Sequence, residues 1–95
     1  MVPHALLCGS GFTALHLAVL QQKADFVQLL LLAKANVDIQ DNRSGRTALF
    51  HACEMRQFPV ASALLSKGAS VNIASYAGTT AAQVLHRRGL ILHRR

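Results

Sequence analysis

Apolar residues crowd into two short stretches, ALHLAVL from Ala14 and FVQLLLLA from Phe26, separated by the polar segment QQKAD. The same alternation returns as ALFHACEM from Ala48 and PVASALLSK from Pro59. The spacing predicts a short helix over about Ala14 to Leu20, a polar turn, and a second helix over about Asp25 to Ala33. The second copy is then a helix over about Ala48 to Met55 and another over about Pro59 to Lys67. Thr13 and Thr47 stand where an N-cap hydroxyl accepts from the orphan amides of the first helix, and Pro59 suits a first helical turn because its missing amide costs nothing there. Gly68 ends the second helix of its copy, where glycines take the left-handed conformation; the equivalent position in the first copy is Lys34. If both copies turn alike, Lys34 is left-handed too.

The repetition is gapless between the first two copies. GFTALHLAVLQQKADFVQLLLLAKANVDIQ from Gly11 lies without gaps over GRTALFHACEMRQFPVASALLSKGASVNIA from Gly45, and GTTAAQVLHRRGL from Gly78 begins a third copy. Thr13, Thr47 and Thr80 are 34 and 33 residues apart. A repeat of this length decides the fold by itself, because each unit buries its apolar face only against its neighbours. The expectation is an all-α chain of two full helix–turn–helix copies plus a partial third, at about 9–41, 42–75 and 76–95, forming one unit over 1–95. Leu17, Leu29, Leu30, Leu49, Leu64 and Leu65 are expected in its core.

The motifs G-x-T-A-L-[HF]-x-A, L-L-x-K-G-A-x-V-N in the second copy and L-L-A-K-A-N-V-D in the first resemble the ankyrin repeat. The resemblance spans about residues 9 to 90 and implies an ankyrin-repeat solenoid. Ala14 and Ala48 replace the usual Pro, Phe50 replaces the usual His, and Ala82, Gln83 and Leu85 replace Leu, His and Ala in the third copy. A narrower resemblance lies between copies, where Asp41 and Gly45 are four residues apart in QDNRSGRTAL, one more than in an ordinary ankyrin loop. With SGRTAL, HACEM, ASVNIASYAGTT and RRGL, this is similar to the inhibitor-of-kappa-B family and the ankyrin halves of the Rel precursors. GFTALHLAVLQ and the basic balance look more like that family's nuclear, atypical members. The implied partner is a Rel-homology transcription factor, and the implied location is cytoplasmic or nuclear. No Asp-Ser-Gly signal and no acidic C-terminal segment is found in the sequence, so the degradation switch of the cytoplasmic members is not carried over.

Composition agrees with close-packed helices: 52% of residues are apolar and only 5% aromatic. Ten Lys and Arg face four acids, and all four acids lie before residue 56; from Arg56 onward stand six cations and no acid. Such a half attracts acidic partners or polyanions, although four of the six crowd the last nine residues, where a solvated tail is the simpler reading. Cys8 and Cys53 make no disulfide framework, the N-terminus fails as a signal peptide, and the longest apolar run, Leu29 to Ala33, is far below the roughly 20 residues of a membrane span. A soluble, intracellular protein is expected.

Catalytic and metal chemistry find no support in the sequence. His51 and Cys53 lie roughly 200° apart around one helix, so they share no ligand face. His4 and Cys8 lack a matching second pair. His16 is read as structural, since in the resembled family such a His bonds loops. No enzyme, cofactor or metal is therefore expected. What remains is surface. In a stacked solenoid the loop tips and the exposed side of each inner helix form one concave face. Here those positions are Asn42, Arg43, Ser44, Arg46, Tyr76, Ala77 and Thr79 on the loops. On the inner helices they are Leu20, Gln21, Glu54, Met55, Arg87 and Arg88. Arg43, Arg46 and Tyr76 are the candidate anchors, because Arg and Tyr favour interface centres. The rival readings are a nucleic-acid or acidic-protein binder acting through HRRGLILHRR, residues 86–95, and a truncated form with no stable independent function.

Overall fold

The structure, a computed structural model, describes residues 13–87. Among the described residues five helices follow one another: α1 (Ala14–Leu20), α2 (Ala24–Leu32), α3 (Ala48–Glu54), α4 (Phe58–Ser66) and α5 (Ala81–Arg87). The first four pair as α1–α2 and α3–α4, and α5 opens a third unit, so the architecture is the all-α one expected from the repeat. The helix ends differ from the sequence expectation by one residue, within the fraying of any helix terminus.

α3 is the hub. Ala48, Leu49, Phe50, His51, Ala52 and Cys53 are all buried, and the helix packs against α1, α4 and α5. A helix buried on every side must be apolar on every side unless its polar groups are paired, which explains why this stretch is apolar except at Glu54 and at His51, whose ring is bonded to Asp41. Thr13 caps α1 and Thr47 caps α3 through their hydroxyls, and Pro59 sits in the first turn of α4. In the third copy Thr80 and Gln83 exchange the same reciprocal bonds, Thr80 N–H to Gln83 Oε1 at 2.9 Å and Gln83 N–H to Thr80 Oγ1 at 3.2 Å. Gln83 thus fills the place of His16 in the cap.

The four helices of the two full units end alike, in pairs of bonds that return to the last turn. Lys23 N–H reaches Ala18 O and Gln22 N–H reaches Val19 O; the same pattern closes α2, α3 and α4. Each needs a left-handed residue just past the end. Lys34 takes it at φ +64° and Gly68 at φ +90°, as the alignment required. Gln22 at φ +59° and Arg56 at φ +61° take it as well, an outcome the sequence did not suggest because neither copy has a glycine there.

The expected core is confirmed at Leu49 and Leu64, which are fully buried, while Leu17, Leu30 and Leu65 are half-buried. Leu29 is a correction: it is 61% exposed, alongside Phe26 and Leu32 on the outer face of α2. The equivalent of Phe26 in the second unit is Val60, which is buried, because α4 packs against α2. Among the described residues no helix covers α2 in the same way.

Lys34→Gly should raise the unfolding free energy by a few tenths to about 1 kcal/mol, since the left-handed penalty outweighs the helix-dipole gain of a Lys at this end. Gly68→Lys should lower it similarly, because its only obstacle is the backbone angle, with nothing within 4 Å of an added Cβ. Urea titration of the two variants checks both signs. Leu29→Gln with Leu32→Gln should leave the unfolding free energy within about 0.5 kcal/mol of the parent, because both side chains are exposed; urea titration checks it.

Candidate functional site

The site is built on the loop between the first two units. Asp41 has no solvent exposure. Its Oδ1 accepts from the amides of Arg43 (2.9 Å) and Ser44 (2.6 Å), and the Ser44 hydroxyl donates to the same carboxylate at 3.0 Å from Oδ2. His51 Nε2, on α3, lies 3.0 Å from Oδ2. A carboxylate only accepts, so this nitrogen carries the proton and donates. Burial by itself raises the Asp41 carboxyl, but the Ser44 amide, the His51 ring, the Ser44 hydroxyl and the Arg43 amide outweigh it and hold the group down at about 2. Asp41 is therefore ionised, and its charge organises the turn.

The extra residue of this loop is visible in its bonds. Asp41 N–H reaches Arg46 O, five residues on, and Gly45 N–H returns to Asp41 O. In the next loop Ser75 N–H reaches Thr79 O, four residues on, and Gly78 N–H returns to Ser75 O. The two loops are joined side by side. Tyr76 N–H donates to Ser44 O at 2.9 Å, and the Gln40 amide bridges Gly45 O at 2.8 Å and Ala74 O at 2.9 Å. Gly45, at φ +74°, lies under the Tyr76 ring, where an added Cβ would stand 2.5 Å from Cδ1. Only glycine allows this approach.

The loop is also tied to the unit before it. His16 Nδ1 accepts the Thr13 amide at 3.1 Å, so Nε2 carries the proton and donates to Arg46 O at 3.0 Å. This bears out its structural reading. The residue aligned with His16 in the second unit is Phe50, over whose ring the Arg46 guanidinium carbon lies at 4.8 Å from the centroid. Arg46 is thus a half-buried, stacked side chain rather than a free loop-tip cation, and its buried Nε has no hydrogen-bond partner.

The remaining expected positions divide. Asn42, Arg43, Met55, Tyr76 and Ala77 are exposed, with Tyr76 at 68%. Ser44 is half-buried with its hydroxyl committed to Asp41, so its side chain serves the loop. Glu54 and Arg87 are brought together at 3.1 Å between α3 and α5. That pair is solvent-exposed enough to be worth at most about 1 kcal/mol. Arg88 lies outside the described residues, as do His4, Cys8 and the rest of the tail from residue 88. Cys53 is fully buried, and burial pushes its thiol up to about 11, which leaves it unreactive. Among the described residues no three His, Cys, Asp or Glu side chains are grouped to hold a metal, and no helix is long and apolar enough to cross a membrane. Asp41, His51 and Gln40 were missed as site residues. The only signal for Asp41 was the loop spacing, and the contacts of the other two span 10 and 34 residues.

A family model described as ankyrin repeats in three copies matches residues 2–75. The chain is 41% identical over 81 residues to the B-cell lymphoma 3 protein homolog of Mus musculus, covering 85% of this chain and 18% of that protein. It is 38% identical over 82 residues to the nuclear factor NF-kappa-B p105 subunit of Gallus gallus, covering 85% of this chain and 8% of that protein. It therefore spans less than a fifth of these relatives. The crystal structure of the ankyrin repeat domain of Bcl-3, a member of the IkappaB protein family, aligns with a TM-score of 0.76 at 42% identity, over 83% of this chain and 35% of that one.

Asp41→Ala should cost about 2 to 4 kcal/mol, because it strands the His51 donor and two loop amides in a buried site. Asp41→Asn, which keeps an acceptor for the amides, should cost less; chemical denaturation separates the two. Gly45→Ala should cost about 1 to 2 kcal/mol through its backbone angle and the Tyr76 ring, and a double-mutant cycle with Tyr76→Ala should recover the ring's share.

Proposed function

The chain belongs to the ankyrin-repeat family, and we propose that its concave face docks a Rel-homology transcription factor and thereby regulates that factor's activity. The fold is that of a protein-interaction module and not of an enzyme, and it is related to Bcl-3 and the IkappaB proteins. The observation that carries the finer reading is the expanded loop. It is held rigid from within by Asp41 and from the side by Tyr76 and Gln40, so Asn42, Arg43 and Arg46 are presented without the ordering cost a mobile loop would incur on binding. Arg46, stacked on Phe50, and Tyr76, seated on Gly45, form an aromatic and cationic centre of the kind that concentrates binding energy. Glu54, Met55 and Arg87 extend the surface along the inner helices. The location consistent with such a partner is cytoplasmic, nuclear or both.

A second reading, docking of nucleic acid or an acidic protein on the basic tail, draws on the six cations and no acid beyond residue 55. The two separate by salt: contact with several phosphates gives a steep loss of affinity as salt rises, whereas the groove interface gives a gentler one.

The test is a titration against a panel of Rel-homology domains at two salt concentrations. Arg43→Ala with Arg46→Ala is expected to weaken binding by about 1 to 4 kcal/mol, and deletion of residues 90–95 to matter less. Unchanged affinity of the double variant would remove the loop from the site. Failure of every domain in the panel to bind would overturn the choice of partner.

A further inference from the structure

Two buried imidazoles stand behind the loop, and the docking surface does not use them. His16 and His51 are 1% and 7% exposed, and their rings meet edge to face at 5.8 Å and 86°. With Asp41 they hold the loop at two separate anchors. One is the Arg46 carbonyl, which accepts from Asp41 N–H at 2.9 Å and from His16 Nε2 at 3.0 Å. The other is the Asp41 carboxylate, which accepts from the Arg43 and Ser44 amides and from His51.

We propose that the 41–46 loop is a proton-operated latch that opens at its Arg46 end when His16 is protonated, while its Asp41 end stays closed. The reason is geometric. His16 Nδ1 is committed as an acceptor to the Thr13 amide, with the Thr13 hydroxyl 2.8 Å away. A proton there removes the acceptor, undoes half of the α1 cap, and places a cation in a buried site 5.8 Å from the second ring. A charged ring that turns out to water takes its Nε2–H away from the Arg46 carbonyl. Asp41 N–H then loses the support that held its acceptor in place. Phe50, at the position aligned with His16, shows that the fold accepts a ring with no proton to exchange.

The charged groups around the pair are Asp41 and Arg46 from the loop, Glu54 from α3, and, one ion pair further out, Arg87 of α5. α2 carries Lys23 and Asp25 at its exposed start. Burial lowers both histidines from the ordinary 6.5. For His16 it outweighs the Arg46 carbonyl, the Asp41 charge and the Ile39 carbonyl and is reinforced by the His51 ring; for His51 it outweighs Asp41 and Glu54 and is reinforced by Arg46. A base lowered in the folded state supports that state fully above 6.5 and loses its contribution as pH falls below it. Asp41, lowered from 3.8 to about 2, keeps its bonds until pH falls below the ordinary carboxylate value. The two anchors therefore release in separate windows. The consequence for docking rests on the role proposed for the loop; the latch does not, and it is tested without a partner.

The test is residue-resolved amide exchange on the 95-residue chain, with rates corrected for their intrinsic pH dependence, together with NMR titration of the His16 ring. From about pH 7.5 to about pH 5, protection of the Asp41 amide should fall about tenfold or more. The Ser44 amide, bonded to Asp41, and the Ala61 amide, bonded to Gln57 O at the start of α4, should hold. The His16 ring should titrate below 6.5. In His16→Phe the Asp41 protection should be flat across the same range. Loss of all three amides together, equal pH dependence in His16→Phe, or a His16 ring that titrates at or above 6.5 would each overturn the latch. The ring titration decides even if the variant does not fold.

Discussion

One buried charge sets the arrangement of the loop that this structure offers to partners. A carboxylate removed from water is costly unless its lone pairs are filled, and Asp41 is filled by two loop amides, a loop hydroxyl and the ring of His51. The same four bonds that satisfy the charge dictate the path of residues 42–45 and clamp them to α3. The extra residue of the loop is accommodated because the turn is wound around an anion rather than closed by backbone bonds alone. His16 then ties the far end of the loop to the first unit through the Arg46 carbonyl, so a local solution to a buried charge becomes a contact between repeats.

The two interfaces between units are stabilised differently although their sequences align. Between the first and second, His16 carries the bond to the loop. The second unit has Phe50 there, which has no polar atom, and the corresponding bond is replaced by contacts between loops: Tyr76 N–H to Ser44 O and the Gln40 amide to Gly45 O and Ala74 O. Phe50 gains the Arg46 guanidinium over its ring instead. A substitution that removes one inter-repeat bond thereby changes what the surface presents, because it leaves Arg46 half-buried and stacked on Phe50. The α3 helix, packed on three sides, transmits this arrangement between the units.

Much of the fold was legible from the chain. A period of 34 and 33 residues, threonines at helix starts and a glycine at a helix end are local signals, and each acts through bonds within a few residues. They determined helix number, order and limits, and even the left-handed backbone of Lys34, because Gly68 stands at the same place in the next copy. Gln22 and Arg56 take the same conformation without any glycine to betray it. The exposure of Leu29 was also hidden, since a leucine on an outer helix is buried or bare according to whether another helix lies beside it.

The candidate surface was legible as a set of positions and not as a mechanism. Repeat register alone identified Asn42, Arg43, Arg46 and Tyr76 as loop-tip residues. That Ser44 turns inward, that Arg46 lies on Phe50, and that Gln40 spans two loops depends on contacts across 3, 4 and 34 residues. The pairing of Asp41 with His51 is of the same kind. Neither residue type nor spacing distinguishes a solvated Asp from one buried against an imidazole, because the difference lies in which helix the folded chain brings behind the loop. The sequence by itself determined the repeat, the helices and where the loops fall; the stacking of one repeat on the next decided which of their polar groups are buried, and so which are free to meet a partner.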